Sequence, residues 1–519
     1  MADKNGNAAE YFVNRHASQP YADKPAYIEG DGAQRSLSYR QLAHESSKMQ
    51  EIFQRHQIRS EDRVAMLMLD QIEFPVVFWG SLAAGVIPVA INTLLSTEVY
   101  ATILNDCKAR VLFVSAALLP AVESLLSDHA YIETVFVSGE HSSKYLSLSA
   151  ELESATPDAP LTPVTVSGDE CAFWLYSSGS TGQPKGVRHV HSSLQFTADT
   201  YGKQVLGIEQ NDIVYSAAKF FFAYGLGNAM TFPLSVGATT VLLAGRPTPD
   251  SVLALINEHK PGIFCGVPTL YAALLAHIEA GKASCDVPLR CCISAGEALP
   301  EDIGRQWKKL TSCDILDGVG STEMLHIFLS NHADDIVYGT SGVAVPGYEL
   351  RLVDTEGNDV GTGEVGELLV NGASAASDYW NQRDKSRTTF EGEWTRTGDK
   401  YEIRPDGRYI YCGRTDDMFK VSGIWVSPFE VEQAIVSHPS VLEAAVVAAR
   451  DDQDLEKPKA FVVLKQEVDT DAFTNELKEQ VKNKIGKWKY PRWVEVVTCL
   501  LYTSPSPRDA TLSRMPSSA

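Results

Sequence analysis

Short runs of β-branched and apolar residues alternate with helical stretches through the first 310 positions. Arg63-Val-Ala-Met-Leu-Met, Ala109-Arg-Val-Leu-Phe-Val, Thr239-Thr-Val-Leu-Leu and Gly262-Ile-Phe-Cys-Gly-Val are such runs. Continuous apolarity over a few residues, with helical spacing between runs, predicts α/β layers with largely parallel strands. The longest apolar run, Phe74 to Ile91, comes near the length that spans a bilayer. Pro75, Gly80, Gly85 and Pro88 interrupt it, which predicts a buried helix followed by a strand.

From Gly339 to Gly372 the texture changes. Glycines at 342, 347, 357, 361, 363, 366 and 372 separate short strands such as Tyr348-Glu-Leu-Arg-Leu-Val, and Thr355-Glu-Gly-Asn358 reads as a hairpin turn. A small β-barrel is predicted there. After Arg414 a compact βα pattern resumes: Phe429-Glu-Val-Glu-Gln-Ala-Ile-Val is helical, Ala444-Ala-Val-Val-Ala-Ala a buried strand, and Ala460-Phe-Val-Val-Leu another.

Composition narrows the class. A chain of 519 residues is too long for one ordinary core. Its 44% hydrophobic and 21% charged residues describe a soluble globular protein, and its net charge of −21 argues against nucleic acid or an anionic membrane surface as main partner. Nine cysteines, an odd number with no C-x-x-C pair, suit a reducing compartment rather than a disulfide framework or zinc site. Adjacent Cys291 and Cys292 read as small apolar strand residues. The polar opening Met1-Ala-Asp-Lys-Asn-Gly has no secretory character. The expectation is a cytoplasmic protein, with a homodimer left open.

Candidate chemistry centres on Tyr176-Ser-Ser-Gly-Ser-Thr-Gly-Gln-Pro-Lys-Gly186. Four hydroxylated residues and three glycines leave backbone N–H groups unobstructed, and Lys185 adds a charge for phosphate oxygens. It is not a Walker A loop, because Lys185 lies three residues beyond Gly182 and is followed by Gly. A Ser/Gly-rich surface turn is the bland alternative. The apolar approach Cys171-Ala-Phe-Trp-Leu-Tyr176, a predicted buried strand feeding the loop, favours phosphate.

This loop, followed in order by Gly318-Val-Gly-Ser-Thr-Glu323, Thr395-Arg-Thr-Gly-Asp399 and Gly413-Arg-Thr-Asp-Asp417, resembles the adenylate-forming enzymes, the family of acyl-CoA synthetases, luciferases and peptide-synthetase adenylation domains. The resemblance runs from about residue 10 to about residue 497. It implies two steps: a carboxylate attacks ATP to give acyl-AMP and pyrophosphate, then a thiol displaces AMP. The implied fold is α/β: a large N-terminal domain of two α/β layered subdomains plus a small β-barrel, then a small mobile α+β C-terminal domain. In this chain that means residues 1–412, a hinge at 413–417, and an incomplete C-terminal domain at 418–498.

The resemblance also assigns residues. Ser177, Ser178, Gly179, Ser180, Thr181, Gly182 and Lys185 would hold ATP phosphates, Thr322 would also bind the nucleotide, and Thr181, Lys185, Glu323 and Asp416 would be catalytic. Glu323, beside Thr322 and with no basic neighbour in sequence, would bind Mg²⁺, which a hard carboxylate oxygen suits. Ala295, Gly296 and Glu297, with Asp317 and Gly318, match the adenine pocket. Asp399 would accept hydrogen bonds from ribose hydroxyls and Arg414 would donate to them. An acidic chain needs such local positive charge for ATP, from Lys185, Arg396 and Arg414. Asp416 matches the hinge about which the small domain rotates between the two reactions. Ser422 and Gly423 would lie along CoA, Gly423 letting the pantetheine arm approach backbone. Taken singly, each acid or base here would read as a solvated surface charge, and Gly423 as a turn residue.

Acid specificity narrows further. Ala218-Lys-Phe-Phe-Phe-Ala-Tyr-Gly-Leu-Gly227 and Met324-Leu-His-Ile-Phe-Leu-Ser330 resemble the benzoate-CoA ligases. The resemblance puts Ala223, Tyr224, Gly320, His326 and Ile327 around a short, flat pocket that holds an aromatic ring by apolar area. None of these five is basic, which favours an unsubstituted or weakly polar aryl acid, and hydroxy- or fluorobenzoates would be rejected only modestly. Phe220 to Phe222 read as partly plain core.

The chain departs from the family after Val497. The resemblance implies a Gly-Lys motif about two dozen residues past Trp488, its lysine serving adenylation; Cys499 to Ala519 contains no lysine and is rich in Ser and Pro. That stretch reads as a disordered replacement of the native terminus by frameshift, mis-splicing or joined foreign sequence. Lys482, Lys484, Lys487 and Lys489 read as ordinary helix-face charges. A ligase forming aryl-CoA from an aryl acid, ATP and CoA is thus expected. The alternatives are a half-active or non-catalytic holder of ATP or acyl-AMP, and a CoA ligase for another small acid.

Overall fold

The computed structural model describes residues 5–127, 129–140, 144–156, 160–178, 183–285, 287–415, 418–421, 424–451, 455–466, 470–487, 489–498 and 500. Two compact units divide the chain. The first takes the described residues up to 177 with 184–349 and 370–395, and the second takes 350–369 and the described residues from 396 on.

The four apolar runs form strands of two sheets in the first unit. A nine-stranded sheet has the order Val343–Ala344, Ile327–Ser330, Ile315–Gly320, Cys291–Ser294, Ile263–Gly266, Ile213–Ser216, Thr239–Leu242, Pro25–Glu29, Ser36–Ser38. Its middle is parallel, and antiparallel pairing is confined to the two ends: Ile327–Ser330 returns along Ile315–Gly320 and pairs with Val343–Ala344, and Ser36–Ser38 pairs with Pro25–Glu29. An eight-stranded sheet runs Asp378–Tyr379, Pro184–Val190, Cys171–Ser178, Ile87–Ala90, Arg63–Leu67, Val111–Ser115, Thr134–Ser138, Leu146–Ser147. Its central pairings are also parallel. Cys291 and Cys292 are buried strand residues, as the sequence predicts.

The run Phe74 to Ile91 is the helix Glu73–Ala83 followed by the strand Ile87–Ala90. Every residue from Phe74 to Ala83 is buried, which explains why the helix has no polar face. Gly80 is not a break in it: a Cβ there would lie 2.4 Å from the Cβ of Met49, so the glycine lets the helix Tyr39–Arg55 pack closely. Gly85 does end the helix, at φ +71°. Among the described residues, no helix is long and apolar enough to cross a membrane.

The glycine-punctuated segment supplies the strands Glu349–Val353 and Val365–Asn371, with a turn at 354–358 closed by Asp354 N–H on the Asn358 carbonyl at 2.9 Å. They belong to a five-stranded sheet completed by Phe390–Glu391, Trp394–Ile403 and Tyr409–Arg414, so the β structure draws on sequence well beyond Gly372. In the second unit the helix Pro428–Val436 and the helix Thr470–Ile485 pack on a three-stranded sheet of Val441–Arg450, Glu456–Leu464 and Trp493–Val496. The Ala444 strand is only partly buried: Val441 and Val446 are buried, whereas Leu442, Glu443, Ala448 and Arg450 are exposed. Alanine is small enough to read as core on either face, which is why composition overstates its burial.

Candidate active site

The strand Cys171–Ser178 stops where the Ser/Gly stretch begins, and Pro184–Val190 carries Lys185 away from it. Gly179, Ser180, Thr181 and Gly182 lie outside the described residues. Ser177, at the strand end, keeps a buried Oγ with no hydrogen-bond partner, an orphan that a ligand oxygen would satisfy.

Lys185 does not stand alone. Its Nζ is 3.6 Å from Glu323 Oε1, 3.4 Å from the Tyr379 hydroxyl and 4.5 Å above the Tyr379 ring centroid. The Tyr379 hydroxyl donates to Glu323 Oε1 at 2.7 Å. Glu323 therefore has the basic neighbour that its local sequence lacks, brought in by a strand far back in the chain. The loop carrying Glu323 is pinned from beneath by His189, whose Nε2 bonds the Thr322 carbonyl at 2.8 Å and whose ring stacks on Phe173. Burial pushes that imidazole down to about 4, so it is a neutral peg.

The adenine-type residues gather at the carboxyl ends of two neighbouring parallel strands, where open α/β sheets bind ligands. Ser294 of Cys291–Ser294 is opposite Asp317 of Ile315–Gly320. Ala295 follows, buried, then Gly296 at φ +94° and exposed Glu297. Asp317 is buried with Oδ1 unpartnered, and burial raises its carboxyl well above the usual range. Gly318 packs on Ile327 across the hairpin, where a Cβ would meet that side chain at 2.9 Å.

The hairpin from Gly320 to Ile327 joins both chemistries. Gly320 pairs with Ile327, and a Cβ at 320 would lie 2.5 Å from the His326 carbonyl oxygen, so only glycine allows the approach. Beside it is a cavity of about 920 Å³. It is lined by all five acid-pocket residues, Ala223, Tyr224, Gly320, His326 and Ile327, together with Ala295, Gly296 and Thr322. Ser177, Lys185, Glu297, Asp317, Gly318 and Glu323 are not in its wall.

Two polar groups of the aryl-type wall are engaged internally or held neutral, those of Tyr224 and His326. The Tyr224 hydroxyl is shared between the Gly266 carbonyl at 3.1 Å and that of Ile293 at 3.2 Å. Burial pushes His326 down to about 3; its Nε2 faces the Tyr224 carbonyl at 3.4 Å and its ring meets Phe232 edge-on at 4.5 Å. The aromatic run divides: Phe220 is core, stacked on Phe74 at 4.9 Å, whereas Phe221 and the 47% exposed Phe222 line the cavity. The wall is not free of cations, as the five positions alone suggest. It includes Lys219, whose Nζ is bound to the Leu243 and Gly245 carbonyls, and exposed Arg246.

In the second unit Asp399 and Arg414 face each other on paired strands, with Nη1 3.1 Å from Oδ1 and 3.3 Å from the Thr397 carbonyl. Arg396 is ion-paired with Glu367 at 2.9 Å. Asp416, Ser422 and Gly423 lie outside the described residues. Among the described residues no group of three or more His, Cys, Asp or Glu is arranged to hold a metal. A single carboxylate such as Glu323 still fits an ion that takes most of its ligands from phosphate and water, as Mg²⁺ does.

Sequence reading missed Tyr379 and His189. Tyr379 sits on a two-residue strand and His189 on Pro184–Val190, which mixes charged and apolar residues, so neither carries a periodic signal; only the aromatic pair Tyr379-Trp380 hints at a packing role.

The profile of AMP-binding enzymes matches residues 13–380, and that of the AMP-binding enzyme C-terminal domain matches residues 430–504. A 4-hydroxybenzoate–CoA/benzoate–CoA ligase of Rhodopseudomonas palustris is 49% identical over 500 residues, 96% of this chain and 92% of that one. The crystal structure of a benzoate CoA ligase from Burkholderia xenovorans LB400 superposes with a TM-score of 0.87 at 45% identity, covering 95% of this chain and 96% of that one. That of the anthranilate CoA ligase AuaEII in complex with anthranoyl-AMP gives 0.91 at 39% identity, covering 98% and 96%. On these matches the chain belongs to the family of AMP-binding enzymes.

Proposed function

We propose that the protein activates benzoate, or an aryl carboxylate close to it, and passes the acyl group to CoA. One observation carries this reading. Residues 223–224, 320–322 and 326–327, distant in sequence, line a single cavity together with Ala295 and Gly296 of the adenine-type turn. An acid held there would present its carboxylate to the hairpin that bears Thr322 and Glu323. The apolar wall suits one flat ring, and the similar proteins are named for benzoate, 4-hydroxybenzoate and anthranilate, each a ring with at most one small substituent.

In the first step a carboxylate oxygen forms a bond to the α-phosphorus of ATP, the bond to the bridging oxygen breaks, and pyrophosphate leaves. In the second the CoA sulfur bonds to the acyl carbon, the acyl–phosphate C–O bond breaks with AMP leaving, and the thiol proton goes to solvent. Lys185 would offset charge on the phosphates, which is where a fixed cation lowers the barrier most. Glu323 would hold Mg²⁺, which supplies further charge neutralisation when bound. Asp399 and Arg414 keep the ribose roles implied by the resemblance, as the Ser177–Gly182 residues keep theirs toward phosphate. Asp416 keeps the hinge role and Ser422 and Gly423 the CoA role, with a domain boundary at 413–417.

A second reading, a holder of ATP or acyl-AMP that turns over slowly, is favoured by one observation: residues 499–519 contain no lysine. Benzoate-dependent ATP–pyrophosphate exchange, run with Mg²⁺ and without CoA, separates the two. Exchange at a rate that supports turnover is the expected outcome. ATP binding without exchange, alongside benzoyl-CoA formation from supplied benzoyl-AMP, would establish the half-active reading instead. Failure to bind ATP at all would sink both.

A further inference from the structure

Three charged side chains, Lys219, Asp31 and Asp70, gather beside one stretch of the cavity wall. Lys219 lies three residues past the strand Ile213–Ser216 and Asp31 two residues past Pro25–Glu29, both in the nine-stranded sheet. Asp70 lies three residues past Arg63–Leu67 of the other sheet. The Lys219 Nζ donates to the Leu243 carbonyl and, at 2.8 Å, to that of Gly245. Asp31 takes the N–H groups of the same turn, Ala244 on Oδ1 at 3.0 Å and Gly245 on Oδ2 at 2.9 Å. Asp70, 5% exposed, accepts the Phe220 N–H, which is 3.3 Å from either oxygen. The Lys219 carbonyl accepts the Phe222 N–H at 3.0 Å, so this residue also shapes the aromatic turn that follows it.

Both segments joined in this way line the cavity, Phe221 and Phe222 beside Lys219, and Ala244 to Arg246 from the turn. That turn, between Thr239–Leu242 and the helix Pro249–His259, has carbonyls on a cation and amides on an anion, each reaching it from a different strand end. It cannot slide along or away from 219–224 without breaking charge-assisted bonds. Stability alone does not call for a cation here. Burial pulls the Lys219 ammonium below its ordinary pKa, and Asp70 and Asp31 draw it back up. A methionine in the same place would pack without that desolvation cost.

We propose that Lys219 is a positioning residue of the acid pocket: its ammonium fastens the 243–246 turn to the 219–224 segment and so fixes the width open to an aryl ring. The proposal rests on the reading of this cavity as the acid pocket. With the clasp in place, a second fused ring meets backbone held from three strand ends; without it, the turn yields. Lys219 thus selects for ring size through the wall, not by pairing with charge on the acid.

The test compares the full chain with K219M, K219M/D70N and D31N. K219M removes the clasp but leaves the Asp70 carboxylate without its cation. D70N in that background removes the lone charge, while its amide oxygen still accepts the Phe220 N–H. In crystal structures of either Lys219 variant without ligand, the 243–246 turn should stand about 1 Å or more farther from 219–224; an unchanged separation overturns the proposal whether or not the chain is a ligase. The KM for benzoate should rise about tenfold in both, with calorimetric ATP affinity within about twofold of the parent. The kcat/KM for 2-naphthoate relative to benzoate should also rise about tenfold. The melting temperature should drop in K219M and recover in K219M/D70N while the KM stays high. Recovery of the KM along with the melting temperature, or a parallel loss of ATP affinity, identifies a merely structural residue and overturns the proposal. D31N exchanges an acceptor under the same turn for a donor and should raise the KM for benzoate about threefold; an unchanged KM at parental stability overturns it as well. No benzoate-dependent exchange in the parent would instead sink the acid-pocket reading and leave the crystal structures to decide the clasp.

Discussion

The aryl-type wall and the Lys185–Glu323–Tyr379 cluster lie in the same unit and are joined by one hairpin, yet they are built on opposite principles. In the wall, polarity is removed: His326 is pushed down to about 3, the Tyr224 hydroxyl is engaged by two carbonyls, and Lys219 is turned onto backbone oxygens. In the cluster, charge is kept: Lys185 and Glu323 stand 3.6 Å apart, with the Tyr379 ring and hydroxyl against them. Recognition of a ring by shape rewards stiffness and finished hydrogen bonds. Recognition of an arriving polyanion rewards bonds that are easily exchanged.

The sharpest way to break the contrast is to remove charge from the cluster. Lys185→Met should lower the pyrophosphate-exchange rate by about 10²–10³, while the KM for benzoate, set by the wall, stays near that of the parent. Steady-state exchange at varied benzoate reads both. If the KM for benzoate rises in step, the two regions are not separable.

Removing space from the wall should act the other way. A Cβ at Gly227 would sit 2.3 Å from His326 Cδ2 and 2.7 Å from Nε2, with Phe232 at 2.9 Å behind. Gly227→Ala should therefore force the imidazole into the cavity, at a cost of about 1–3 kcal/mol in stability, and raise the KM for benzoate with ATP affinity retained. Thermal unfolding and ATP calorimetry on the same sample check the prediction. Wild-type melting with unchanged KM would show that the ring has room to yield.

Acid should have the gentlest effect, and it reports on how many polar groups the core keeps neutral. Burial depresses His16 and His191 to about 4 and His326 to about 3, below the ordinary 6.5. Between pH 6.5 and 4 the unfolded chain binds protons that the folded chain refuses. Stability is thus complete above pH 6.5 and falls as pH drops toward 4, by at most about 1.4 kcal/mol per pH unit for each histidine. Asp70 works against this: burial raises it to about 6, so its contribution is present below its unfolded value of 3.8 and is lost as pH rises through 6. His189, also held near 4, joins the three histidines, and Asp317, likewise raised by burial, joins Asp70; four groups outweigh two, and the melting temperature should decline from pH 6.5 to 4.5. A flat profile would mean that the histidines are solvated.

The layered architecture was legible because strands covered on both faces leave a continuous apolar trace, as at Arg63–Leu67 and Ile263–Gly266. The acid pocket was legible because its two segments carry a recognisable order of residues. Illegible were contacts whose meaning exists only in three dimensions. Gly80 looked like a helix break and is a packing contact with Met49. Glu323 looked unpartnered because Lys185, 3.6 Å from it in space, lies far back in the chain. Tyr379 could not be found at all, since two strand residues show no period and its partner Lys185 is 194 positions away.

That separation of 194 positions is also a delay. Pro184–Val190 is the outermost strand of its sheet until Asp378–Tyr379 pairs with it. At a synthesis rate of roughly 5–20 residues per second, about 10–40 s pass between the emergence of the two. For that interval the nascent chain carries an open strand edge bearing Lys185 and Arg188, and two cations on an edge are a known guard against pairing with a stranger. The late arrival of Asp378–Tyr379 therefore closes the sheet and brings Tyr379 against Lys185 and Glu323 in a single event.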